Sequence, residues 1–253
     1  MSDLAPRPKP PFPRHDGRAP NQLRPLNVQR GFVSNAPGSV LITAGGTSIL
    51  CTASVENAVP EWLAGRGKGW ITAEYNMLPG STRPRRRRER DGKLDGRTSE
   101  IQRLIGRSLR AVANLEALGE RTIAVDCDVL AADGGTRTLS VTGALVAVVD
   151  AVRASDAAVP SGRFPLVEAV PAVSVGIVEG CAVLDLDYAE DVAAAVDMNV
   201  VMTASGEFVE VQGTGERSTF TDGQLQEMLT LARQGITELV VAQRDALGGA
   251  WTW

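Results

Sequence analysis

The sequence is poor in aromatic residues, histidine and cysteine, and each scarcity excludes a class of protein. Aromatic side chains make up 4% of the 253 residues, too few for a protein that reads single-stranded RNA mainly by stacking bases on aromatic platforms. One histidine, His15, and three widely spaced cysteines without a CxxC pair give neither a zinc site nor a disulfide framework. Cys51, Cys127 and Cys181 instead fit a reducing cytoplasm.

Long apolar runs are absent as well. No segment approaches the roughly 20 apolar residues of a membrane span, and the N-terminus lacks an export signal. We therefore expect a soluble, cytoplasmic protein. Residues 1–20 are rich in proline and charge, which predicts a disordered or loosely draped leader in which His15 has no partner.

Charge is distributed unevenly, although the formal net charge is only −4. Residues 83–110 hold eleven Arg or Lys against four acids, whereas residues 171–230 hold eleven acids and one basic residue, Arg217. A basic surface in the first half suits a polyanion, and the carboxylates of the second half suit a divalent metal. The alternative is two solvated faces of opposite sign that meet across a subunit contact.

The most informative stretch is DGGTRT at residues 133–138, between an apolar strand predicted at 122–130 and an apolar helix predicted at 139–149. Its two glycines relax the backbone, so N–H groups at the helix start converge on a phosphate-sized anion with the helix dipole behind them. Arg137 adds a planar, bidentate positive charge. We call this stretch the anion socket; a tight turn with Thr136 as an ordinary N-cap is the alternative.

A basic run, RPRRRRER at residues 83–90, is the second feature. Six arginines in eight residues without an apolar anchor predict an exposed loop that guides a nucleic-acid backbone through charge alone. A solvated charge run is the alternative. The helix predicted from Gly96 to about Leu118 begins with Arg97, where the helix dipole disfavours a cation unless an anion binds beside it. Thr98 as an N-cap is the alternative at that helix start.

The third feature is a pair of carboxylates, Asp191 and Asp197. The first lies in a predicted link and the second at the start of a predicted strand, where side chains can converge. Such a pair can hold Mg²⁺ or share acid and base chemistry; turn and cap residues are the alternative. Together with the anion socket and Arg97, the pair suggests a readily reversible reaction in which inorganic phosphate attacks a phosphodiester.

The hydrophobic patterns predict an α/β (α+β) protein of two similar strand-strand-helix halves, at about residues 21–155 and 165–253, packed into one catalytic domain. Glycine turns predict one hairpin in each half, at Gly45-Gly46 and at Glu179-Gly180. A capping box of Thr221 with Gln224 starts a long final helix that ends near residue 247. The predicted strands comprise residues 38–44, 48–55, 70–75, 122–130, 173–178, 182–186, 197–203 and 207–212.

Five blocks of the sequence together resemble the bacterial ribonuclease PH family. They are residues 21–25 (NQLRP), 69–75 (GWITAEY), 96–107 (GRTSEIQRLIGR), 126–138 (DCDVLAADGGTRT) and 197–203 (DMNVVMT). The resemblance implies a phosphate-dependent 3′-to-5′ exoribonuclease that trims tRNA precursors and other RNAs, ribosomal RNA among them. Such an enzyme releases nucleoside diphosphates and acts in reverse as a nucleotidyltransferase.

The same resemblance implies the fold shared with polynucleotide phosphorylase and the exosome ring, which is of the ribosomal protein S5 domain 2-like type. It also implies Mg²⁺ as cofactor, inorganic phosphate as co-substrate and a homohexamer built as a trimer of dimers. The remaining alternative is an inert RNA-binding ring subunit, but such relatives lose the anion-site arginines or the acidic pair, and this sequence keeps both.

By position, the resemblance assigns three sets of site residues. The phosphate-binding set is Arg97, Gly135, Thr136 and Arg137. The catalytic and metal-holding pair is Asp191 and Asp197. The RNA-contacting set is Arg83, Arg85, Arg86, Arg87, Arg88 and Arg90. Asp95 stands where a small residue is frequent in the family, and its negative charge near the socket is expected to weaken phosphate binding.

Overall fold

The computed structural model describes residues 14–88, 95–155 and 163–248. It confirms the predicted fold class, because two sheets each carry helices and each sheet comes from one half of the chain. The first sheet has the order β1-β2-β3-β5-β4, in which β4 and β5 are parallel and the other neighbours antiparallel. Its strands are β1 Leu26–Arg30, β2 Gly38–Ala44, β3 Thr47–Glu56, β4 Trp70–Met77 and β5 Thr122–Ala131.

The second sheet has the order β7-β6-β8-β9 and is antiparallel throughout. Both predicted hairpins are present, with their turns at Gly45-Gly46 and Glu179-Gly180. The strands are β6 Ala172–Val178, β7 Cys181–Leu184, β8 Val196–Met202 and β9 Phe208–Thr214. The helices are α1 Gly96–Ala111, α2 Leu115–Leu118, α3 Thr136–Ala154, α4 Tyr188–Ala193 and α5 Asp222–Leu247.

Helix α3 is the centre of the molecule, since it packs on β2 and β3 on one side and on β6 of the second sheet on another. Apolar residues on all its faces are therefore buried, which explains why its sequence lacks a polar stripe. The approach to β2 is very close: a Cβ on Gly38 would lie 1.9 Å from the carbonyl oxygen of Ala147. Because α3 packs against both sheets, its first residues lie at the boundary between the two halves of the chain.

Helix α5 covers the second sheet with one face only. Met228, Ala232, Ile236 and Leu239 pack into the core of that half, and the opposite face is exposed. The predicted capping box at Thr221 is present. Within the described residues, no helix is both long and apolar enough to cross a membrane.

Two predicted elements are wrong. Helix α1 ends at Ala111 instead of continuing to 118, because the N–H of Val167 donates to Val112 and that of Asn114 donates to Pro165. The predicted link containing Asp191 is helix α4, which opens with a capping box of Asp187 and Glu190. The contacts that end α1 have no periodic sequence signal, whereas the capping box of α4 is local.

The predicted leader is wrong for residues 14–20, while residues 1–13 lie outside the described part of the chain. The Arg14 side chain is fully buried and donates twice to Glu190, at 2.6 and 2.7 Å. His15 also has a partner, because its Nε2 lies 2.6 Å from an Asp187 carboxylate oxygen. This segment is held by buried ion pairs, which composition alone does not reveal.

Candidate active site

The anion socket adopts a backbone that its glycines permit. Gly134 and Gly135 have φ values of +76° and +65°, in the left-handed region that favours glycine. Helix α3 starts at Thr136, three residues earlier than predicted, with Gly135 as its N-cap and no side-chain cap. The proposed alternative of Thr136 as N-cap is therefore wrong, and the first N–H groups of the helix are available to an anion.

Other described helices do not share this property. Side chains accept a hydrogen bond from the first turn of α1, α2, α4 and α5. The residues that provide these caps are Asp95, Asn114, Asp187 and Thr221. Among the described α-helices, α3 is thus the one whose first turn has no side-chain cap.

Two contacts fix the shape of the socket. The hydroxyls of buried Tyr75 and Thr136 lie 2.7 Å apart, so strand β4 holds the first residue of α3. Arg24 binds the socket to the second half: it contacts the carbonyl of Asp133 and both carboxylate oxygens of Asp185, at 2.7 and 3.0 Å. The socket is therefore preorganised by side chains distant in sequence.

The carboxylate pair faces this socket from the second half of the chain. Asp191 is on α4 and Asp197 near the start of β8, two elements linked by a short turn. The structure brings six of the predicted site residues into one cleft. The residues lining it are Arg97, Gly135, Thr136, Arg137, Ser174, Leu186, Asp191, Val192, Asp197, Asn199 and Glu216.

Burial makes the two carboxyl groups weaker acids. It raises the pKa of Asp197 to about 6, and the charges of Asp191 and Glu216 raise it too, whereas Arg137 and a hydrogen bond from Asn199 lower it. The pKa of Asp191 is also raised by burial and by Glu216, and is lowered by Arg97 and Arg137. The cleft therefore holds repelling carboxylates beside two cations.

This donor set fits a magnesium ion. Asp191 and Asp197 line one cleft, where burial and then the charge of Asp191 raise the pKa of Asp197. A divalent cation held by these carboxylates would offset their charge. His15, Asp187 and Glu190 also come close together. Since Arg14 contacts Glu190 and Arg18 contacts both acids, we assign that second group to the buried ion network.

The exposure predicted for the basic loop is confirmed for most of its described arginines. Among its arginines, Arg83, Arg85, Arg87 and Arg88 are exposed, and Arg90 lies outside the described residues. Arg86 differs, because it is half-buried and forms an ion pair with Asp95.

Asp95 has two structural partners that change its expected effect on the socket. Its carboxylate accepts a hydrogen bond from the Thr98 N–H at 2.6 Å, so Asp95 and not Thr98 caps α1. The same carboxylate pairs with Arg86, and these contacts lower its pKa. Arg86 therefore offsets part of the negative charge that Asp95 places near the socket.

Sequence reasoning missed the parts of the site that come from distant segments. Arg14, Arg18 and Arg24 form a buried ion network with Asp185 and Glu190. The network holds the corner between β7 and α4, and so positions Asp191. The available sequence signal was the presence of three arginines among residues 14–24.

Gln212 and Glu216 were missed as well. Gln212 of β9 contacts Arg137, and Glu216, in the following loop, lines the cleft. Their types are common on exposed strands and loops, so no local pattern distinguishes them.

A preorganised phosphate socket opposite a carboxylate pair defines an enzyme of phosphoryl or nucleotidyl transfer. Comparisons with known proteins identify the family. Residues 22–154 match the first domain of the 3′ exoribonuclease family and residues 169–235 match its second domain.

Two relatives named ribonuclease PH illustrate the similarity. The protein from Rhodopirellula baltica is 58% identical over 236 residues, covering 91% of this chain and 96% of its own length. The protein from Corynebacterium efficiens is 59% identical over 240 residues, which cover 94% of this chain and 97% of that protein. The chain therefore belongs to the 3′ exoribonuclease family, within its ribonuclease PH branch.

Solved structures of lower identity share the fold. The Archaeoglobus fulgidus exosome with RNA bound to the active site matches with a TM-score of 0.76 and 19% identity, covering 90% of this chain and 92% of its own. Rice Rrp46 matches with a TM-score of 0.75 and 20% identity, and the match covers 92% of this chain and 100% of the Rrp46 chain.

Proposed function

We infer that this protein is a phosphate-dependent 3′-to-5′ exoribonuclease, which shortens RNA by phosphorolysis and releases nucleoside diphosphates. The main support for this function is one cleft that contains both sets of residues. The uncapped start of α3, Arg97 and Arg137 face Asp191 and Asp197 across it. Membership of the ribonuclease PH branch supports the same function.

In this reaction the socket binds the nucleophile. The N–H groups at the start of α3 and the Arg97 and Arg137 guanidinium groups hold inorganic phosphate and reduce its repulsion from the RNA phosphodiester. A phosphate oxygen bonds to the terminal phosphorus while the bond to the preceding 3′ oxygen breaks. The 3′ oxygen takes up a proton, so the products are a nucleoside 5′-diphosphate and RNA one nucleotide shorter.

We further propose that Asp191 and Asp197 hold Mg²⁺. When bound, this ion supplies positive charge to the scissile phosphodiester. Asp191 and Asp197 would hold the ion in the cleft that the anion socket also lines. Because one diester-type bond is exchanged for one anhydride, the reaction is readily reversible, and the enzyme then acts as a nucleotidyltransferase.

The substrate proposal is the 3′ end of tRNA precursors and other RNAs. Exposed Arg83, Arg85, Arg87 and Arg88 support charge-driven contacts with the RNA backbone. Replacing these four residues by Ala should weaken RNA binding and reduce its salt dependence, with the phosphate KM unchanged. Unchanged RNA affinity would remove the loop from the binding site.

We propose a homohexamer, a trimer of dimers, that works in the cytoplasm. Exposed Phe208 and Val211 on the edge strand β9 and exposed Val241 on α5 support contacts between copies of the chain. The three cysteines are free, which supports a reducing compartment. Light scattering of the purified protein tests the hexamer, and a monomer mass would overturn it.

The decisive experiment uses RNA with an extended single-stranded 3′ tail, Mg²⁺ and protein, with and without inorganic phosphate. Nucleoside diphosphates should appear only with phosphate, and Asp197→Asn should abolish them. Nucleoside monophosphates released without phosphate would refute phosphorolysis. No product under either condition would favour an inert RNA-binding subunit, an alternative that neither the intact cleft nor the relatives support.

A further inference from the structure

Arg137 is held by two side chains that are not part of the phosphate socket. Its Nη1 donates to Oε1 of Gln212 on β9 at 3.0 Å, and Nε2 of Gln212 donates to Oε1 of Glu100 on α1 at 2.6 Å. The Arg137 Nη1 and the Glu100 carboxylate are 3.6 Å apart, which is too far for a hydrogen bond. Gln212 thus bridges the cation and the carboxylate.

The orientation of the Gln212 amide follows from its partners. Arginine has donors only, so the amide oxygen faces Arg137, and the amide nitrogen must then face the Glu100 carboxylate. In the described part of the chain, Nε and Nη2 of Arg137 have no protein partner. Because Arg137 lines the cleft, these remaining N–H groups are available to bind phosphate bidentately.

The bridge also limits an unproductive contact. Glu100 already forms an ion pair with Arg137 at 3.6 Å, and a closer, hydrogen-bonded contact would draw the guanidinium away from the cleft and offset more of its charge. With Gln212 between them, the carboxylate is satisfied by an amide donor while Arg137 keeps its charge for a ligand.

Docking of α1 on β9 does not depend on this bridge. Arg107 of α1 forms a bidentate ion pair with Glu210 of β9, with contacts of 2.7 to 3.0 Å. That pair joins the same helix and strand without touching Arg137. It supplies a matched control for any effect that comes from docking alone.

We propose that Gln212 and Glu100 are positioning residues that orient Arg137 for binding the attacking phosphate. The proposal rests on the phosphorolytic function inferred above. It predicts that losing the bridge weakens phosphate binding and leaves RNA binding unchanged, because Gln212 and Glu100 act on the phosphate-binding Arg137.

Steady-state kinetics on purified variants test this proposal. Gln212→Leu should raise the phosphate KM about tenfold, the loss expected for one hydrogen bond to a charged group. The KM for RNA and the thermal melting temperature should stay at wild-type values. Glu210→Gln, the matched control, should leave the phosphate KM unchanged.

A charge exchange gives a second, independent readout. Gln212→Glu places a carboxylate against Glu100 and beside the anion site, so it should raise the phosphate KM. Adding Glu100→Gln restores an acceptor towards Arg137 and an amide donor towards residue 212. The double variant should therefore have a lower phosphate KM than Gln212→Glu alone, a non-additive result expected of coupled side chains.

Three outcomes would overturn the proposal. They are an unchanged phosphate KM in Gln212→Leu, an equal rise in Glu210→Gln, and a double variant no better than Gln212→Glu. The wild-type enzyme assayed beside them separates this failure from failure of the proposed function. A wild type that releases monophosphates without phosphate refutes the function itself, whereas a phosphorolytic wild type with unaffected variants refutes only the positioning role.

Discussion

Helices α3 and α5 each complete one half of the molecule, but they begin in opposite ways. The first turn of α5 is satisfied by Thr221 and Gln224, which form a complete capping box. The first turn of α3 has a glycine N-cap and no side-chain cap. One helix start is closed by its own residues, and the other keeps its donors for a ligand.

This difference shows how one structural plan serves stability in one half and binding in the other. A capping side chain stabilises a helix by about 1 kcal/mol, and α3 lacks that contribution. Burial between two sheets stabilises α3 instead, so its N-terminus can remain open. The exposed α5, with only one buried face, has no such compensation.

The largest expected effect is a loss of phosphate affinity at the uncapped start of α3. Arg137→Ala should raise the phosphate KM about a hundredfold, because it removes charge-assisted hydrogen bonds worth about 3 kcal/mol. Initial rates at varied phosphate and saturating RNA measure this change. RNA affinity should be unaffected; an equal loss of RNA binding would show that Arg137 does not belong to the nucleophile site.

The second prediction concerns the backbone that keeps α3 open. Gly134→Ala should reduce the free energy of unfolding by about 2–3 kcal/mol, because the residue has positive φ and its Cβ would crowd the chain. That Cβ would lie 2.6 Å from the Leu186 carbonyl oxygen. Urea denaturation measures the loss.

Gly80→Ala is the control for this substitution. Gly80 is exposed and its Cβ would meet nothing within 4 Å, so its effect should be small. Equal stability of the Gly134→Ala protein and wild type would contradict the tight contact between the socket and the corner before α4.

A third prediction concerns how the ionised Asp197 carboxylate, opposite the socket, changes the free energy of unfolding. The pKa of Asp197 rises from 3.8 to about 6 in the fold, so its ionised form destabilises the metal-free protein above about pH 6. Its stabilising contribution is complete below pH 3.8 and is lost as the pH rises through about 6. Asp197→Asn should therefore stabilise the metal-free protein at pH 7.5.

The gain should be about 1–2 kcal/mol, since partial solvent exposure reduces the full effect of the shift. Denaturation in EDTA measures it, and the difference should shrink as the pH falls towards 4. Glu227→Gln, at an exposed position of α5, provides the control. A variant less stable than wild type at pH 7.5 would contradict the destabilising role of this carboxylate.

The smallest effect belongs to the closed helix start. Thr221→Ala should lower the free energy of unfolding by about 1 kcal/mol through loss of the cap, with the phosphate KM unchanged. Urea denaturation and phosphate kinetics on this variant measure both quantities. Thr221→Ala should change only the stability, whereas Arg137→Ala should change the phosphate KM. A rise in phosphate KM would show that the two helix starts are not functionally separate.

The parts of the fold that depend on neighbouring residues were predictable from the sequence. Two hairpins follow from glycine turns between apolar strands, and the start of α5 follows from a capping box of residues three apart. The anion socket is equally local, because Gly134 and Gly135 precede the helix whose donors they expose. The placement of Asp191 and Asp197 in the sequence suggested a carboxylate pair, and the resemblance assigned the same two residues to the site.

Tertiary structure decided the features that join residues far apart in the chain. The end of α1 and the burial of Arg14 depend on partners more than 50 residues away. The contact of Tyr75 with Thr136 and the bridge of Gln212 with Glu100 and Arg137 are of the same kind. A local pattern can specify a turn or a cap, but convergence of distant side chains exists only once both sheets pack around α3.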